Sequence, residues 1–235
     1  QISNKVWESL YSDRYLMFLW LPIGLLVLLS GVGIPKEDDA MRYSRMNSRR
    51  QLVCVNLLST FCISVLYIIS LIMIYALYFR FFNKMSLSNT WSAEILTSEQ
   101  YFDPYSNNLF PTPVVFKNFS PIGAMVISAL FLCVYCFFVS TVSITVNTVF
   151  KQSVGSIACA LILLATSIFG ARRYTSYSLY PDYNGTFRAL TETGKINYVY
   201  IAIVYWMILC SMAVGLYAFC IKKIDLIGLS REDEA

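Results

Sequence analysis

The sequence predicts an all-α, polytopic transmembrane helix bundle, because both its composition and its apolar segments are typical of that class. Hydrophobic residues make up 57% of the chain and charged residues 14%, whereas soluble domains average about 45–50% and about 25%. Mean hydropathy is +0.58. Long apolar segments recur along the chain, and crossing a hydrocarbon core takes roughly 20 such residues per helix. We therefore expect residues 1–235 to form a single transmembrane domain.

Five spans are predicted from apolar runs whose interiors contain no Asp, Glu, Lys or Arg. They cover residues 15–34, 52–79, 122–150, 154–171 and 198–221. The second run is long enough to tilt within the bilayer or to extend beyond it. The sequence begins with Gln1 rather than Met. We expect a sixth span upstream in the full-length protein, because an even number would place both ends in the cytoplasm.

The connections between the spans differ in charge density, which predicts the orientation of the chain. Residues 35–51, the turn at 151–153 and the C-terminal tail are short and rich in Lys and Arg, as cytoplasmic segments usually are. Residues 80–121 and 172–197 are longer and rich in aromatic residues, so we expect them to be extracellular. Arg172 and Arg173, at the outer end of the fourth span, argue against this orientation.

The residue types exclude several kinds of chemistry. The chain contains no histidine, which removes the commonest general base and metal ligand. Most cysteines lie in apolar runs, where they are typical small hydrophobic residues, and the pair Cys133 and Cys136 has no second pair. A net charge of +4 from scattered residues gives little support to nucleic-acid binding. We expect no catalytic, metal-binding or cofactor-binding residues in this chain.

The segment at 35–51 is the strongest local feature. Its acidic residues come early and its basic residues late, a distribution that suits a short helix on the membrane face. Arg42, Arg45 and Arg49 recur at spacings of three and four, so they share one face of such a helix. The alternative is ordinary anchoring of basic residues to lipid headgroups.

This segment and the layout of the spans resemble the ABC-2-type transporter permeases, which have the type V exporter fold. The resemblance lies in residues 37–51, where Ser48-Arg49-Arg50 leads into the second span at Leu52. A long outer loop, two spans joined by a tight inner turn and a Lys-Lys exit from the last span follow in the same order. The family has six spans, and this sequence shows five.

The resemblance implies a permease subunit of an ATP-driven ABC exporter that moves an amphipathic peptide, lipid or drug. Small bacterial permeases for antimicrobial-peptide export and immunity are similar in size, which implies a multi-pass protein of the bacterial plasma membrane. The implied partners are cytoplasmic ABC ATPase subunits, a second permease of like or unlike sequence, and membrane lipid. The sequence contains no G-x-x-x-x-G-K-[ST] loop, so ATP and Mg²⁺ would be held by the ATPase. The implied docking residues of the coupling helix are Glu37, Asp38, Arg42, Arg45, Arg49 and Arg50.

The third span contains polar, uncharged residues, of which Ser140, Ser143 and Asn147 share one helix face. They could line a transport pathway or join helices through hydrogen bonds, and we favour helix packing. Ion coupling is disfavoured because no ionisable group lies within a predicted span. Two other classes stay open: a non-transporting immunity or scaffold protein, and a lipid-modifying enzyme. The enzyme would need a polar catalytic cluster at the membrane edge.

Overall fold

The computed structural model describes residues 16–32, 49–84, 89–91, 118–150, 152–170 and 198–223, and every regular element in these ranges is helical. A π-helical turn precedes the first of five α-helices. The elements, in chain order, are the π-turn Leu16–Trp20, α1 Leu21–Leu28, α2 Arg49–Phe81, α3 Pro121–Phe150, α4 Val154–Gly170 and α5 Tyr198–Lys223. The predicted all-α class is confirmed.

Three of the helices, α2, α3 and α5, are long and apolar enough to cross a membrane. They contain 33, 30 and 26 residues. At 1.5 Å per residue these lengths are about 39–50 Å, more than the roughly 30 Å of a hydrocarbon core. The chain is therefore a helical membrane protein. Helix α4 has 17 residues, at the lower end of the range of roughly 17–25 residues that can span. The total of five or six spans stays a prediction.

The first apolar segment is not the single helix that the sequence predicts over residues 15–34. Its α-helix ends at Leu28 and a turn follows, in which the Val32 amide donates to the Leu29 carbonyl at 2.9 Å. Ser30 and Gly31, both weaker helix formers than leucine, lie in this turn. At the other end, Pro22 cannot donate a backbone hydrogen bond, and the chain before it is π-helical rather than α-helical.

The start of α3 is fixed by hydrogen bonds to the first amides of the helix. The Ser120 hydroxyl accepts from the Gly123 amide at 3.2 Å, and the Asn89 side-chain oxygen accepts from the Ile122 amide at 3.2 Å. Pro121 occupies the first helical position, where no amide is needed. Serine as the N-cap followed by proline is a strong local signal for a helix start. The predicted start at residue 122 is therefore only one residue from the observed start at Pro121.

Helix α3 is the centre of the bundle, and it contacts α1, α2, α4 and α5. In the most apolar 18-residue stretch of α3, 44% of the residues are buried, compared with 17% in the corresponding stretches of α2 and α5. Trp206 of α5 packs edge-on against Tyr135 and Phe138 of α3, with ring centroids 5.8 and 6.0 Å apart. Because lipid is as apolar as the helices, such close packing, rather than escape from water, holds the helices together.

Helices α3 and α4 form a tight hairpin whose closest approach is at Gly155. A Cβ atom added there would meet the Ser143 carbonyl oxygen and would lie 2.7 Å from the side-chain oxygen of Asn147. The absence of a side chain lets the two backbones touch, as small residues commonly do between membrane helices.

We expect Gly155→Ala to lower the free energy of unfolding by about 1–3 kcal/mol, because the added methyl group overpacks a backbone contact. The matched control is Gly215→Ala on α5, where the added Cβ would have no atom within 4 Å apart from the nearby backbone of its own helix. Alanine is the better helix former, so this control should leave stability unchanged or slightly raised. Unfolding in mixed detergent micelles measures both variants, and an equal loss in the two would contradict the packing argument.

Candidate functional site

The three polar residues predicted on α3 lie together inside the bundle. Ser140, Ser143 and Asn147 each have 0% of their surface exposed, and Ser156 of α4 faces them with 6% exposed. We call these four residues the polar seam. Its three α3 members follow one face of that helix at spacings of three and four residues, as the sequence predicts, and the seam ends beside the α3–α4 turn.

Asn147 joins three parts of the chain through one side-chain amide. Its nitrogen donates to the Val32 carbonyl at 3.2 Å, just after α1. Its oxygen accepts from the Gly155 amide at 2.8 Å, in the first turn of α4. The first amides of a helix have no partner within that helix, and an unpaired backbone group in an apolar medium costs several kcal/mol. Asn147 therefore satisfies two backbone groups that belong to other elements.

Ser143 adds a second link between α3 and α4. Its hydroxyl lies 3.0 Å from the Ser156 hydroxyl, and both side chains are buried. Because Ser156 is next to Gly155, this bond and the Asn147 bond hold adjacent residues of α4. The first turn of α4 is thus tied to α3 at two points.

Ser140 differs from the other members of the seam. Its hydroxyl is the one buried side-chain polar atom without a hydrogen-bond partner in the described residues. Thr141, Thr145 and Thr148 on the same helix each donate to the carbonyl four residues earlier, at 2.7–2.8 Å. This back-bonding is common for hydroxyl residues in helices, and Ser140 does not make it.

The seam can hold helices together, but its groups offer little chemistry beyond hydrogen bonding. The described residues contain no cluster of three or more His, Cys, Asp or Glu that could hold a metal ion. Cys133 and Cys136 are free thiols buried in α3. Ser143 and Asn147 are engaged in contacts between helices. That the three α3 residues line a transport pathway stays a prediction.

A second polar contact, between α2 and α5, was not singled out from the sequence. The Asn56 side-chain amide donates to the Tyr217 hydroxyl at 2.7 Å. Further along α2, Thr60 and Ser64 are buried. The Thr60 hydroxyl donates to the Asn56 carbonyl and the Ser64 hydroxyl donates to the Thr60 carbonyl, so both bonds stay within α2. The spacing of four residues among these α2 positions is the signal that could have identified a buried face.

The predicted coupling segment lies largely outside the described residues. This applies to Glu37, Asp38, Arg42 and Arg45. Arg49 is the first residue of α2, and Arg50 is exposed in its first turn. Two of the six predicted docking residues therefore lie in the first turn of α2, the longest of the described helices.

Compared with protein-family models, with curated proteins and with solved structures, the chain gives no match. The structure defines the class as a helical membrane protein with three long apolar helices. The finer assignment to the ABC-2-type permeases stays a prediction from layout.

We expect Asn147→Leu to lower the free energy of unfolding by about 1–3 kcal/mol, because it leaves the buried Gly155 amide and the partly buried Val32 carbonyl unpaired. Thr145→Val is the control on the same helix. It removes a hydroxyl bonded only within α3, so it should change stability much less. Chemical unfolding in detergent, followed by circular dichroism, compares the two variants. Similar losses of stability would mean that the bonds from Asn147 to Val32 and Gly155 contribute no more than a hydroxyl bonded within α3.

Ser140→Ala should leave the free energy of unfolding unchanged or raise it by up to about 1 kcal/mol, because the hydroxyl that it removes is buried and unpaired. Ser143→Ala, three residues along the same face, should lower it by about 0.5–1.5 kcal/mol through loss of the bond to Ser156. The same unfolding assay measures both. A larger loss for Ser140→Ala than for Ser143→Ala would show that the Ser140 hydroxyl has a partner.

Proposed function

We propose that this chain is a transmembrane permease subunit of an ATP-driven exporter of the ABC-2 type, for an amphipathic peptide, lipid or drug. The observation on which the proposal depends is the start of α2. Arg49 and Arg50 open a helix that continues without a break for 33 residues, about 50 Å. This exceeds the hydrocarbon core by about 20 Å, so one or both ends of α2 extend beyond the apolar region of a bilayer.

A basic helix start that extends from the membrane suits docking of a partner on that side. Arg50 is exposed, and arginine is well suited to pair with carboxylates at a protein interface. The acidic and basic residues of the preceding segment, 37–48, supply further charges in the sequence. In the proposed complex this region is the coupling helix, and it contacts a cytoplasmic ATPase subunit.

The proposed source of energy is supported by the positions of charged residues in the described helices. The described helices have Lys and Arg only near their ends, and ion-coupled carriers normally use an ionisable group within the membrane. The sequence also contains no phosphate-binding loop. An ATPase in a separate chain is therefore the energy source that fits this protein best, with a second permease completing the pathway.

We expect an ATPase to co-purify with the chain from its native membrane in mild detergent, and the double variant Arg45→Glu, Arg49→Glu to retain much less of it. Charge reversal that costs about 1.4 kcal/mol weakens binding about tenfold. The matched control is Lys84→Glu, an exposed position just beyond the other end of α2, which should retain the ATPase fully.

Two results would contradict the proposal. If no ATPase co-purifies with the unaltered chain, the exporter assignment fails. The bonds that Ser143 and Asn147 make to other parts of the chain then favour the non-transporting immunity or scaffold protein. If the ATPase is retained equally by the Arg45→Glu, Arg49→Glu double variant and by the Lys84→Glu control, it does not dock on the coupling segment.

A further inference from the structure

A narrow gap lies where α2, α3 and α5 meet, beside the bond from Asn56 to Tyr217. Side chains of all three helices line it: Asn56, Leu57, Thr60, Thr141, Ile144 and Tyr217. The gap has no room for a water molecule, so a polar group that faces it can pair only with another group of the protein. Asn56 is partly buried here, and Tyr217 is 1% exposed.

Asn56 uses little of its capacity for hydrogen bonds. A side-chain amide offers two N–H donors and an oxygen that accepts. Within the part of the chain that the structure describes, the Asn56 side chain makes one bond, from its nitrogen to the Tyr217 hydroxyl at 2.7 Å. The amide can therefore take a second partner without giving up any other contact of its own.

Thr141 offers that second partner from the α3 side of the gap. Its hydroxyl donates to the Phe137 carbonyl at 2.8 Å, which leaves the Thr141 oxygen able to accept. Thr141 belongs to α3 and Tyr217 to α5, and both line the same gap as Asn56. A new rotamer of Asn56, together with a shift of α2 toward α3, would thus exchange a bond to α5 for a bond to α3.

The other contacts at this end of α2 are mostly apolar. Leu52 packs in a cluster that also contains Ile144 of α3 and Tyr217 of α5. Apolar contacts have no preferred direction, whereas a hydrogen bond weakens steeply when its angle changes. The bond from Asn56 therefore gives direction to a cluster that is otherwise apolar.

We propose that Asn56 is a two-position latch, whose side-chain amide pairs with Tyr217 of α5 in the observed structure and with Thr141 of α3 in a second one. The latch lies about two turns after Arg49, the first residue of α2, so it holds the end of the helix that follows the coupling segment. The proposal does not depend on the exporter assignment. In the proposed exporter, the exchange of partners moves the docking end of α2 between α5 and α3.

The first test is a double-mutant cycle on the unfolding equilibrium in mixed detergent micelles. Tyr217→Phe removes the observed partner of Asn56, and Thr141→Val removes the second partner while keeping its shape. If Asn56 uses either partner, each single variant leaves it one, and the double variant leaves it none. We expect the double variant to unfold more readily than the product of the single effects predicts, by about threefold to tenfold in the equilibrium constant, as for one interhelical hydrogen bond.

Asn56→Ala is the control that separates the latch from packing. Tyr217 and Thr141 line one gap, so a coupling caused by packing alone would persist when Asn56 is replaced, whereas a coupling caused by the latch would vanish. Thr145→Val, which removes a hydroxyl bonded within α3, should show no coupling to Tyr217→Phe. Independent effects of Tyr217→Phe and Thr141→Val, or a coupling that survives Asn56→Ala, would overturn the proposal.

A second test observes the Asn56 amide directly and does not depend on unfolding. The full chain is prepared with isotope-labelled asparagine, and the side-chain amide signals of Asn56 are identified in NMR spectra by their absence in Asn56→Ala. We expect Tyr217→Phe to shift these signals. Thr141→Val should shift them again in the Tyr217→Phe background and much less in the unaltered chain. Signals that do not respond to Thr141→Val in the Tyr217→Phe background would show that Thr141 is not the second partner.

Discussion

The bundle depends on one constraint, that backbone groups at the ends of helices need partners where water is scarce. Asn147 meets this need for two elements at once, because an amide side chain offers both a donor and an acceptor. The side-chain nitrogen donates to the Val32 carbonyl, and the side-chain oxygen accepts from the Gly155 amide. Neither bond is local to α3. A single residue near the end of the central helix therefore joins the chain just after α1 to the first turn of α4.

The remaining contacts on that side follow from this position. Because the Asn147 oxygen reaches the α4 backbone directly, α4 must lie very close, and only glycine at position 155 leaves room. The short distance then places Ser156 beside Ser143. On the other side of the bundle the arrangement is different. The hydroxyls of Thr60 and Ser64 on α2 bond within their own helix, and Asn56 donates a bond to Tyr217 of α5.

The sequence predicts the helices well because the length of an apolar run is a local property. Four of the five predicted segments agree with the structure to within three residues at each end. The shared face of Ser140, Ser143 and Asn147 also follows from helical spacing. Their partners do not, because spacing along one helix says nothing about which helix lies opposite. The carbonyl of Val32 is 115 positions from Asn147, and Tyr217 is 161 from Asn56.

The two sides of the bundle differ in what their separation would cost. Moving α4 away from α3 breaks the Asn147 and Ser143 bonds and leaves buried groups unpaired. Moving α2 along α3 leaves the hydroxyl bonds of Thr60 and Ser64 intact, because both ends of each bond belong to α2. Thr60 and Ser64 therefore do not tie α2 to α3, whereas the bond from Asn56 to Tyr217 ties α2 to α5. For the proposed exporter, we therefore expect α1, α3 and α4 to move as one body, and α2, which follows the coupling segment directly, to shift against it.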